Sequence, residues 1–387
     1  MSMKKVAALT VVKDESPYIL DWINHYLYFG FHEIYVAINR TSDSTSIILN
    51  RFAENDHRIK IFHTDWLDMF PNKDGINPQI QIYSFCFLLE QARLNGVADH
   101  VLTVDADEFW FPENFKENIS EYLSGFGHFD VLSIPWACQS GDDKPYMLPF
   151  ENKNITVFQD SNVKSVINLS SLDKMSKFLL HIPDFEPGFV HLNANGNSAF
   201  RVDDKSQRIK TNVDGSNKSM ILHRMLRSEQ EYLSILLRQR PGSTFPLKDN
   251  RNGFNKNYKS TIAVNSDALS DYHDFLINGI SECSTLIENS KREQIARNCR
   301  YEELKVDLIE ENFDKFIKVL RGTSMLNKIV QKLVSSSSNV DVLRDAAIKL
   351  ESIDLELSFK LMSKAKELRP KGPVISRKLT EYTEKLG

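Results

Sequence analysis

Short apolar runs alternate with amphipathic stretches along the first part of the chain. Strands are predicted at Val6 to Val12, Glu33 to Ile38 and Arg58 to His63, and the stretches between them carry apolar residues at helical spacing. The order strand, helix, strand, helix, strand is typical of right-handed βαβ units in a parallel sheet. We therefore predict an α/β fold whose sheet is Rossmann-like, mostly parallel and flanked by helices.

One predicted strand ends in a cluster of acids. The β-branched apolar run Val101 to Val104 is typical of a buried strand, and Asp105, Asp107 and Glu108 follow it. In an extended segment Asp105 and Asp107 would point to the same side, at the sheet edge where open α/β folds bind ligands. Mg²⁺ and Mn²⁺ prefer carboxylate oxygens together with substrate phosphates. A solvated turn is the alternative, but the aromatic run Phe109 to Phe111 favours a packed cleft.

The pattern changes twice further along the chain. From about residue 136 to 215, short β runs lie among Asn, Asp, Gly and Pro, which is typical of loops that carry specificity on a rigid scaffold. From about residue 267 the pattern is entirely helical. These changes predict an α/β domain over 1–240, a mobile loop over 241–266 and an all-helical region over 267–387.

A pair of helices is predicted near 341–370, where apolar residues recur at the spacing of two packed helices. This stretch resembles a single tetratricopeptide-type repeat. An ordinary helical hairpin is an equally good explanation, because one repeat alone cannot bury its own apolar face.

Composition narrows the classes of function. The chain has 387 residues and a net charge of -4, so it lacks the positive field that would attract nucleic acid. Its four cysteines are scattered, without the paired spacing of a zinc site or a disulfide framework. No window has the length of a signal peptide or a membrane span. We expect a cytoplasmic protein without a transmembrane segment, and peripheral contact with the inner face of the membrane stays open.

A series of motifs resembles the family 2-like glycosyltransferases of GT-A fold. The subgroup has K-x-E, E-W-x-x-H, D-N-x-S-x-D and D-x-D-E-F motifs, which are matched in order by Lys13-Asp14-Glu15, Asp21-Trp22…His25, Asn39…Ser42-Asp43 and Asp105-Ala106-Asp107-Glu108-Phe109. Later elements of the subgroup are matched by Trp136, Lys164 and His223-Arg224…Arg227-Ser228. Asp21 replaces the usual Glu, and Arg224 stands where Tyr is common. The resemblance spans roughly Val6 to Tyr232 and implies a GT-A catalytic domain.

The resemblance implies a metal and diphosphate site at the acidic strand end. A divalent ion, Mn²⁺ or Mg²⁺, held by Asp105, Asp107 and His223 would stabilise the diphosphate leaving group of a nucleotide-sugar as a Lewis acid. His181 and His191 are the alternatives to His223 as the third ligand.

Further residues are expected to bind the nucleotide-sugar. The expected set is Lys13, Glu15, Asn39, Asp43, Asp105, Lys164 and Arg227. Glu15 and Asp43 are expected at the nucleoside, and the later basic residues, together with Arg224, at the diphosphate. For Asp14 and Asp43, a role as a helix N-terminal acid that complements the helix dipole is an equally good explanation.

An inverting transfer also needs a general base that deprotonates the acceptor hydroxyl. The candidates, of which one is expected to act, are Asp142, Asp143, Asp184 and Glu186. A turn-forming role is the alternative for each of them. Asp142 and Asp143 rank slightly ahead because they follow the strand-like segment near Trp136, whose ring could lie under a sugar or pack in the core.

The leading hypothesis is a metal-dependent glycosyltransferase, with a UDP-sugar as the expected donor. A glycan or lipid-linked glycan is the expected acceptor, in bacterial surface polysaccharide or glycoconjugate synthesis. Nucleotidyl transfer is a second hypothesis, but the glycine-rich phosphate loop of that class is missing after the first strand. A catalytically silent nucleotide-binding or scaffold protein is the alternative outside enzymes. It would act through the helical C-terminal region, which could also mediate oligomer formation.

Overall fold

The computed structural model describes residues 3–70, 79–203, 207–210, 217–239, 243–254, 260–264 and 266–387, without the side chains at 159, 266 and 267. The predicted mobile loop over 241–266 therefore lies partly outside the described residues. Within the described part of 241–266, a short strand at Ser260–Ala263 pairs with the central sheet.

Most strands of the described chain form one mixed sheet. They are β1 (Val6–Val12), β2 (Glu33–Ile38), β3 (Ile59–His63), β4 (His100–Thr103), β5 (Glu108–Pro112), β6 (Val131–Gln139), β7 (Asn154–Asn168), β8 (Met175–Lys177), β9 (Asp184–Phe185), β10 (His191–Asn193), β11 (Ser219–His223) and β12 (Ser260–Ala263). The sheet order is β3-β2-β1-β4-β7-β6-β11-β5, with β10 beside β6 and β12 beside β7, while β8 and β9 pair separately. Strands β1 to β4 pair in parallel, as the alternating pattern predicted.

Helices cover both faces of the parallel half of this sheet. The described α-helices are α1 (Ile19–Tyr28), α2 (Thr45–Asn55), α3 (Ile80–Asn95), α4 (Ile119–Ser124), α5 (Glu229–Leu236), α6 (Ser266–Ile280), α7 (Ser284–Ala296), α8 (Val306–Glu311), α9 (Phe313–Leu320), α10 (Ser324–Ser336), α11 (Val340–Leu350), α12 (Leu355–Leu368) and α13 (Pro373–Leu386). Alternate residues of β1 belong to two apolar clusters, one shared with α1 and the other with α3. Burial on both faces explains why β1 and β2 are continuous apolar runs. The predicted α/β class and helical C-terminal region are confirmed.

The chain divides into two compact units. One comprises Met1–Arg227 with Asn257–Glu293, and the other comprises Ser228–Lys256 with Gln294–Gly387. Residues 257–293 thus belong with the sheet, because α6 packs on α1. The domain boundaries at 240 and 267 were drawn from sequence pattern alone and stay a prediction.

The second unit contains the predicted helical pair. Helix α11 packs against α12, and α12 packs against α13. The apolar residues on which the pair was predicted are all buried, namely Ala346, Ala347, Leu350, Leu357, Leu361 and Ala365. A tetratricopeptide-type repeat stays a prediction. In the described parts of the chain, no helix combines the length and apolar character needed to span a bilayer.

The acidic stretch differs from its predicted conformation. Strand β4 ends at Thr103, and the next strand, β5, begins at Glu108. The N–H of Glu108 donates to the carbonyl oxygen of Asp105 over 3.0 Å, which closes a turn between them. The expectation that Asp105 and Asp107 share one side of an extended segment is therefore wrong. In the sheet order, β7, β6 and β11 separate β4 from β5, so this turn carries the chain from the parallel half to the far edge.

Candidate functional site

The loops that follow β1 and β2 are tied together by reciprocal hydrogen bonds. The carboxylate of Asp14 accepts from the N–H and the hydroxyl of Ser42. The carboxylate of Asp43 accepts from the N–H and hydroxyl of Ser16 through one oxygen, and from those of Thr45 through the other. Both oxygens of Asp43 therefore stabilise the loops at the start of α2. The expected contact of Asp43 with a nucleoside stays a prediction.

Helix α1 holds the acidic turn by its main chain. The indole Nε1 of Trp22 donates to the carbonyl oxygen of Asp105 over 3.1 Å. The hydroxyl of Tyr26 donates to the carbonyl oxygen of Glu108 over 3.0 Å. Both aromatic side chains are fully buried. The aromatic motif of α1 thus positions the turn that carries the acids, a role that the sequence did not reveal.

His25, also on α1, extends this support to β5. Its Nε2 lies 2.7 Å from the carbonyl oxygen of Trp110, and its Nδ1 lies 2.9 Å from the hydroxyl of Tyr272 on α6. Burial lowers the pKa of His25 to about 3, against a small opposing effect of the Trp110 hydrogen bond. The imidazole is therefore neutral at physiological pH, with a structural role.

A buried lysine lies between two of the acids. Nζ of Lys164, on β7, is 3.1 Å from Oδ2 of Asp105 and 3.2 Å from Oε2 of Glu108. The N–H of Asp105 also donates to Glu108 over 2.8 Å, and Gln81 on α3 donates to the other oxygen of Asp105 over 2.7 Å. Burial raises the pKa of Glu108 to about 7, although Lys164 opposes this shift. Gln81 was missed by the sequence analysis because only the tertiary fold brings it here.

A second group of side chains lies at the end of β11. Nε2 of His223 is 3.6 Å from Oδ2 of Asp107. The ring centroids of His223 and Trp136 are 4.2 Å apart, and those of Trp136 and His181 are 5.1 Å apart. The N–H of Arg224 donates to the carbonyl oxygen of Asp107 over 2.8 Å. Strand β11 thereby brings the predicted residues Asp107, His223 and Trp136 together.

The two alternative histidines lie in different surroundings. His181 contacts Trp136, and its Nδ1 lies 2.8 Å from the carbonyl oxygen of Val163. Burial is the main cause that lowers the pKa of His181, and the charge of Lys164 is the second. His191 shares a 2.8 Å hydrogen bond with Ser133, and burial lowers its pKa to about 4. Of the two, His181 adjoins the group around His223.

The three predicted metal ligands are not equivalent. Among the described residues, no group of three His, Cys, Asp or Glu side chains is arranged to hold a metal ion. Asp107 and His223 approach each other, whereas both carboxylate oxygens of Asp105 contact Lys164 or Gln81. One carboxylate and one imidazole suit Mn²⁺ or Mg²⁺ when substrate phosphates supply further ligands. The donor chemistry therefore fits an ion at Asp107 and His223.

Arg227 connects the first strand end with the acidic turn. Its guanidinium lies 3.5 Å from the ring centroid of Tyr18 and 3.7 Å from the carboxylate of Glu15. Its main chain has φ 53°, a strained conformation of the kind found at functional sites. Glu15 and Arg227, both expected at the donor, are therefore neighbours. Of the other expected donor residues, Lys13 is exposed, and Asn39 is buried with its amide donating to the carbonyl oxygen of Thr64.

The four candidate bases lie in two different places. Asp142 is buried, with one oxygen 2.6 Å from the guanidinium of Arg224 and the other accepting from Gln139 over 2.6 Å. Asp143 beside it is exposed. Both acids line one cavity of about 100 Å³. The other two candidates are near the small two-stranded sheet, where Asp184 pairs with an arginine over 2.7 Å. Arg224 connects Asp142 directly to the main chain of Asp107, so this pair adjoins the acidic turn.

Asp184 and Glu186 lie in a separate hairpin. Asp184 is on β9, and its partner Arg201 also donates to the carbonyl oxygens of Ile182 and Pro183. Glu186 is exposed, and its N–H donates to the carbonyl oxygen of a residue in the same hairpin region. No hydrogen bond or ion pair described for Asp184 or Glu186 reaches the acidic turn.

One comparison with known proteins identifies the class of enzyme. A model of the family described as glycosyltransferase family 92 matches residues 6–229. A comparison with curated proteins gives no match.

Solved structures resemble the chain only distantly. They include a mycobacterial protein (TM-score 0.27, 11% identity, 44% of this chain and 55% of that one) and HddC from Yersinia pseudotuberculosis (0.28, 9%, 49% and 89%). A third is the bifunctional glycosyltransferase WbbM in its apo form (0.24, 15%, 35% and 24%). The chain thus spans about half the length of the first and a quarter of the third. Similarity at this level defines neither a donor nor an acceptor.

Proposed function

Because the chain belongs to glycosyltransferase family 92, we propose that it transfers a sugar from a nucleoside diphosphate sugar to an acceptor hydroxyl with the help of a divalent ion. Family membership makes the protein a glycosyltransferase that acts on a sugar donor and an acceptor. The metal, the nucleotide and inversion at the sugar are the proposal. The observation that carries it is the 3.6 Å distance between Asp107 and His223, next to the buried pairing of Lys164 with Asp105.

Asp107 and His223 are the proposed protein ligands of the ion. When bound, Mn²⁺ or Mg²⁺ would supply Lewis-acid stabilisation of the charge that develops on the diphosphate. Asp105 is half-exposed while Lys164 and Gln81 orient its carboxylate, so it is proposed to accept a hydrogen bond from a donor hydroxyl. Its place at the end of β4 supports this role, because ligands of open α/β sheets bind at that edge.

Glu15 and Arg227 are proposed to bind the nucleotide part of the donor, with UDP as the expected nucleotide. The guanidinium of Arg227 is nearly buried and already oriented by the ring of Tyr18. A pre-oriented guanidinium offers two parallel N–H groups to phosphate oxygens and loses little entropy on binding. Glu15 follows β1 and can accept hydrogen bonds from hydroxyl groups of the nucleoside. Lys13 and Asn39 are placed around the same loops.

Asp143 is the proposed general base. Its neighbour Asp142 pairs with Arg224 and Gln139, which hold its carboxylate in a fixed place. Asp143 is exposed in the same loop and lines the polar cavity. A base must reach the acceptor proton, and an exposed carboxylate can do so. Inversion follows if one such base activates the acceptor, and a surface glycan of a bacterium is the expected acceptor.

The proposal is tested by measuring UDP release from a panel of UDP-sugars, with Mn²⁺, with Mg²⁺ and with a chelator. We expect release that requires a divalent ion and that increases when the correct acceptor is added. The Asp107→Asn and His223→Gln variants should lose the metal-dependent release, whereas Asp173→Asn, at an exposed acid, should keep it. Release that is unchanged by the chelator or by both variants would contradict the proposed metal role.

A further inference from the structure

Lys164 occupies a position where its charge can act only on neighbouring protein groups. Its side chain is 1% exposed, and Nζ is within 3.2 Å of carboxylate oxygens of both Asp105 and Glu108. A charge is rarely buried to this extent unless it is paired and hydrogen-bonded. Binding of a phosphate by Nζ would require breaking these two pairs.

The two partners of Lys164 belong to opposite ends of the acidic turn. Asp105 follows β4, whereas Glu108 begins β5, and three strands separate β4 from β5 in the sheet. Lys164 lies on β7, which runs between β4 and β6 in the sheet. It is in register with Ile134 of β6. Its ammonium therefore links the two ends of a segment that crosses the sheet. The N–H of Asp105, which donates to Glu108 over 2.8 Å, closes the same link.

We propose that Lys164 is a positioning residue that ties Asp105 to Glu108 and so places Asp107 opposite His223. This inference rests on the proposed function for the role of Asp107. It replaces the expectation that Lys164 binds the diphosphate of the donor. Without the ammonium, the two ends of the turn lose the cation that both contact, and Asp105 and Glu108 repel each other when both are ionised.

The glutamate is the partner that makes this proposal testable. Glu108 is fully buried, and its Oε1 has no hydrogen-bond partner among the residues that the structure describes. Removing Lys164 leaves this buried carboxylate without its compensating charge, which is costly. Replacing Glu108 by Gln at the same time removes that charge, and the amide oxygen can still accept from the N–H of Asp105. A positioning role therefore predicts that the second substitution rescues the first.

The experiment compares Lys164→Met, Lys164→Arg, Glu108→Gln and the double variant Lys164→Met/Glu108→Gln with the wild type. The control is Lys153→Met, at an exposed lysine just before the same strand. Each protein is assayed for Tm, for UDP affinity by calorimetry, and for kcat and KM with the UDP-sugar that the wild type uses. Tm and UDP affinity can be measured whatever the donor sugar is.

For Lys164→Met we expect a Tm about 5 °C lower or more, because a buried charge loses its partner. We expect kcat to fall about 100-fold, since a displacement of about 1 Å costs that much, with less than about a threefold change in UDP affinity. The double variant should recover most of the lost Tm and at least about tenfold in kcat, while Lys164→Arg should lie between. Lys153→Met should match the wild type.

The opposite result defines a phosphate-binding lysine. UDP affinity would then fall more than about tenfold in Lys164→Met, with an unchanged Tm and no rescue by Glu108→Gln, and this would overturn the proposal. If the wild type transfers no sugar at all, the proposed function fails, but the rescue of Tm still tests the link between Lys164 and Glu108. The two failures are therefore distinguishable.

Discussion

Nε2 of His223 lies 3.6 Å from Oδ2 of Asp107, while the main chain of Asp107 is held separately by the N–H of Arg224 over 2.8 Å. The side-chain distance is longer than a hydrogen bond. The main-chain contact with Arg224 therefore helps to hold the turn in place independently of the carboxylate of Asp107. Neutralising this carboxylate should change the chemistry of the site more than its shape.

Asp107→Asn should lower kcat of the proposed metal-dependent transfer about 100-fold to 1000-fold, because it removes a charge from the group proposed to stabilise the leaving diphosphate. Tm should change by less than about 2 °C, since the main-chain contacts of the turn persist. Steady-state rates across a Mn²⁺ titration measure the effect. A fall in Tm large enough to account for the lost activity would instead give Asp107 a structural role.

Substitutions of the two neighbouring acids after β6, Asp142 and Asp143, should differ in their effect on the stability of the protein. Asp142→Ala leaves the guanidinium of Arg224 buried without its carboxylate, which should lower the free energy of unfolding by about 3–5 kcal/mol. Asp143→Ala, at the exposed neighbour, should change it by less than about 0.5 kcal/mol. Urea unfolding of both variants measures this difference. Equal effects would contradict the buried ion pair of Asp142.

The same pair of variants separates stability from catalysis. If Asp143 is the general base, Asp143→Ala should lose about 100-fold or more in kcat at full stability. A catalytically normal Asp143→Ala variant would exclude this residue as the base.

The α/β class could be predicted because local patterns determine it. The apolar run Val6 to Val12 predicted a strand, and the structure packs this strand, β1, between α1 and α3. The course of the chain after Asp105 could not be predicted in this way. Strand β5 joins the sheet at its far edge, beside β11, and pairing between strands so distant in sequence leaves no local pattern.

The candidate site was predictable to a similar extent. Residue types and motif order pointed to Asp105, Asp107 and His223, and the structure brings Asp107 and His223 together. The burial of Lys164 and the contact of Gln81 with Asp105 depend on long-range packing. A lysine that binds phosphate and a lysine that pairs with buried acids look the same in a sequence. Only the fold distinguishes the two.

The hydroxyl of Tyr26 should matter for both stability and rate. It donates to the carbonyl oxygen of Glu108 and accepts from the N–H of Trp110, and the side chain is fully buried. Tyr26→Phe removes both hydrogen bonds from buried main-chain groups, which should cost about 1–3 kcal/mol in the free energy of unfolding. It should also lower kcat about tenfold, because the acidic turn loses one of its fixed points.

Tyr28→Phe on the same helix is the matched control. Its hydroxyl donates to the carbonyl oxygen of Ala268 over a longer distance of 3.4 Å, and the side chain is partly exposed. This variant should lose less than about 0.5 kcal/mol. Urea unfolding and steady-state kinetics of both variants decide the matter. Equal losses in the two would show that the hydroxyl of Tyr26 does not hold the turn.

The buried, neutral imidazole of His25 should make the folded protein less stable at acid pH. Burial lowers its pKa from 6.5 to about 3, so in this pH range the unfolded chain binds a proton that the folded protein excludes. The contribution to stability is complete above pH 6.5 and is lost as the pH falls toward 3. Between pH 7 and pH 5 this loss should be about 2 kcal/mol for the single residue.

His25→Gln should therefore reduce the difference in unfolding free energy between pH 7 and pH 5 by about 2 kcal/mol, because glutamine does not titrate. Tyr272→Phe is the control, since it removes the hydrogen bond to Nδ1 of His25 but keeps the imidazole. It should lower stability at both pH values and retain most of the difference between them. Urea unfolding at the two pH values measures both variants. A wild-type pH difference in His25→Gln would mean that other groups cause the loss of stability in acid.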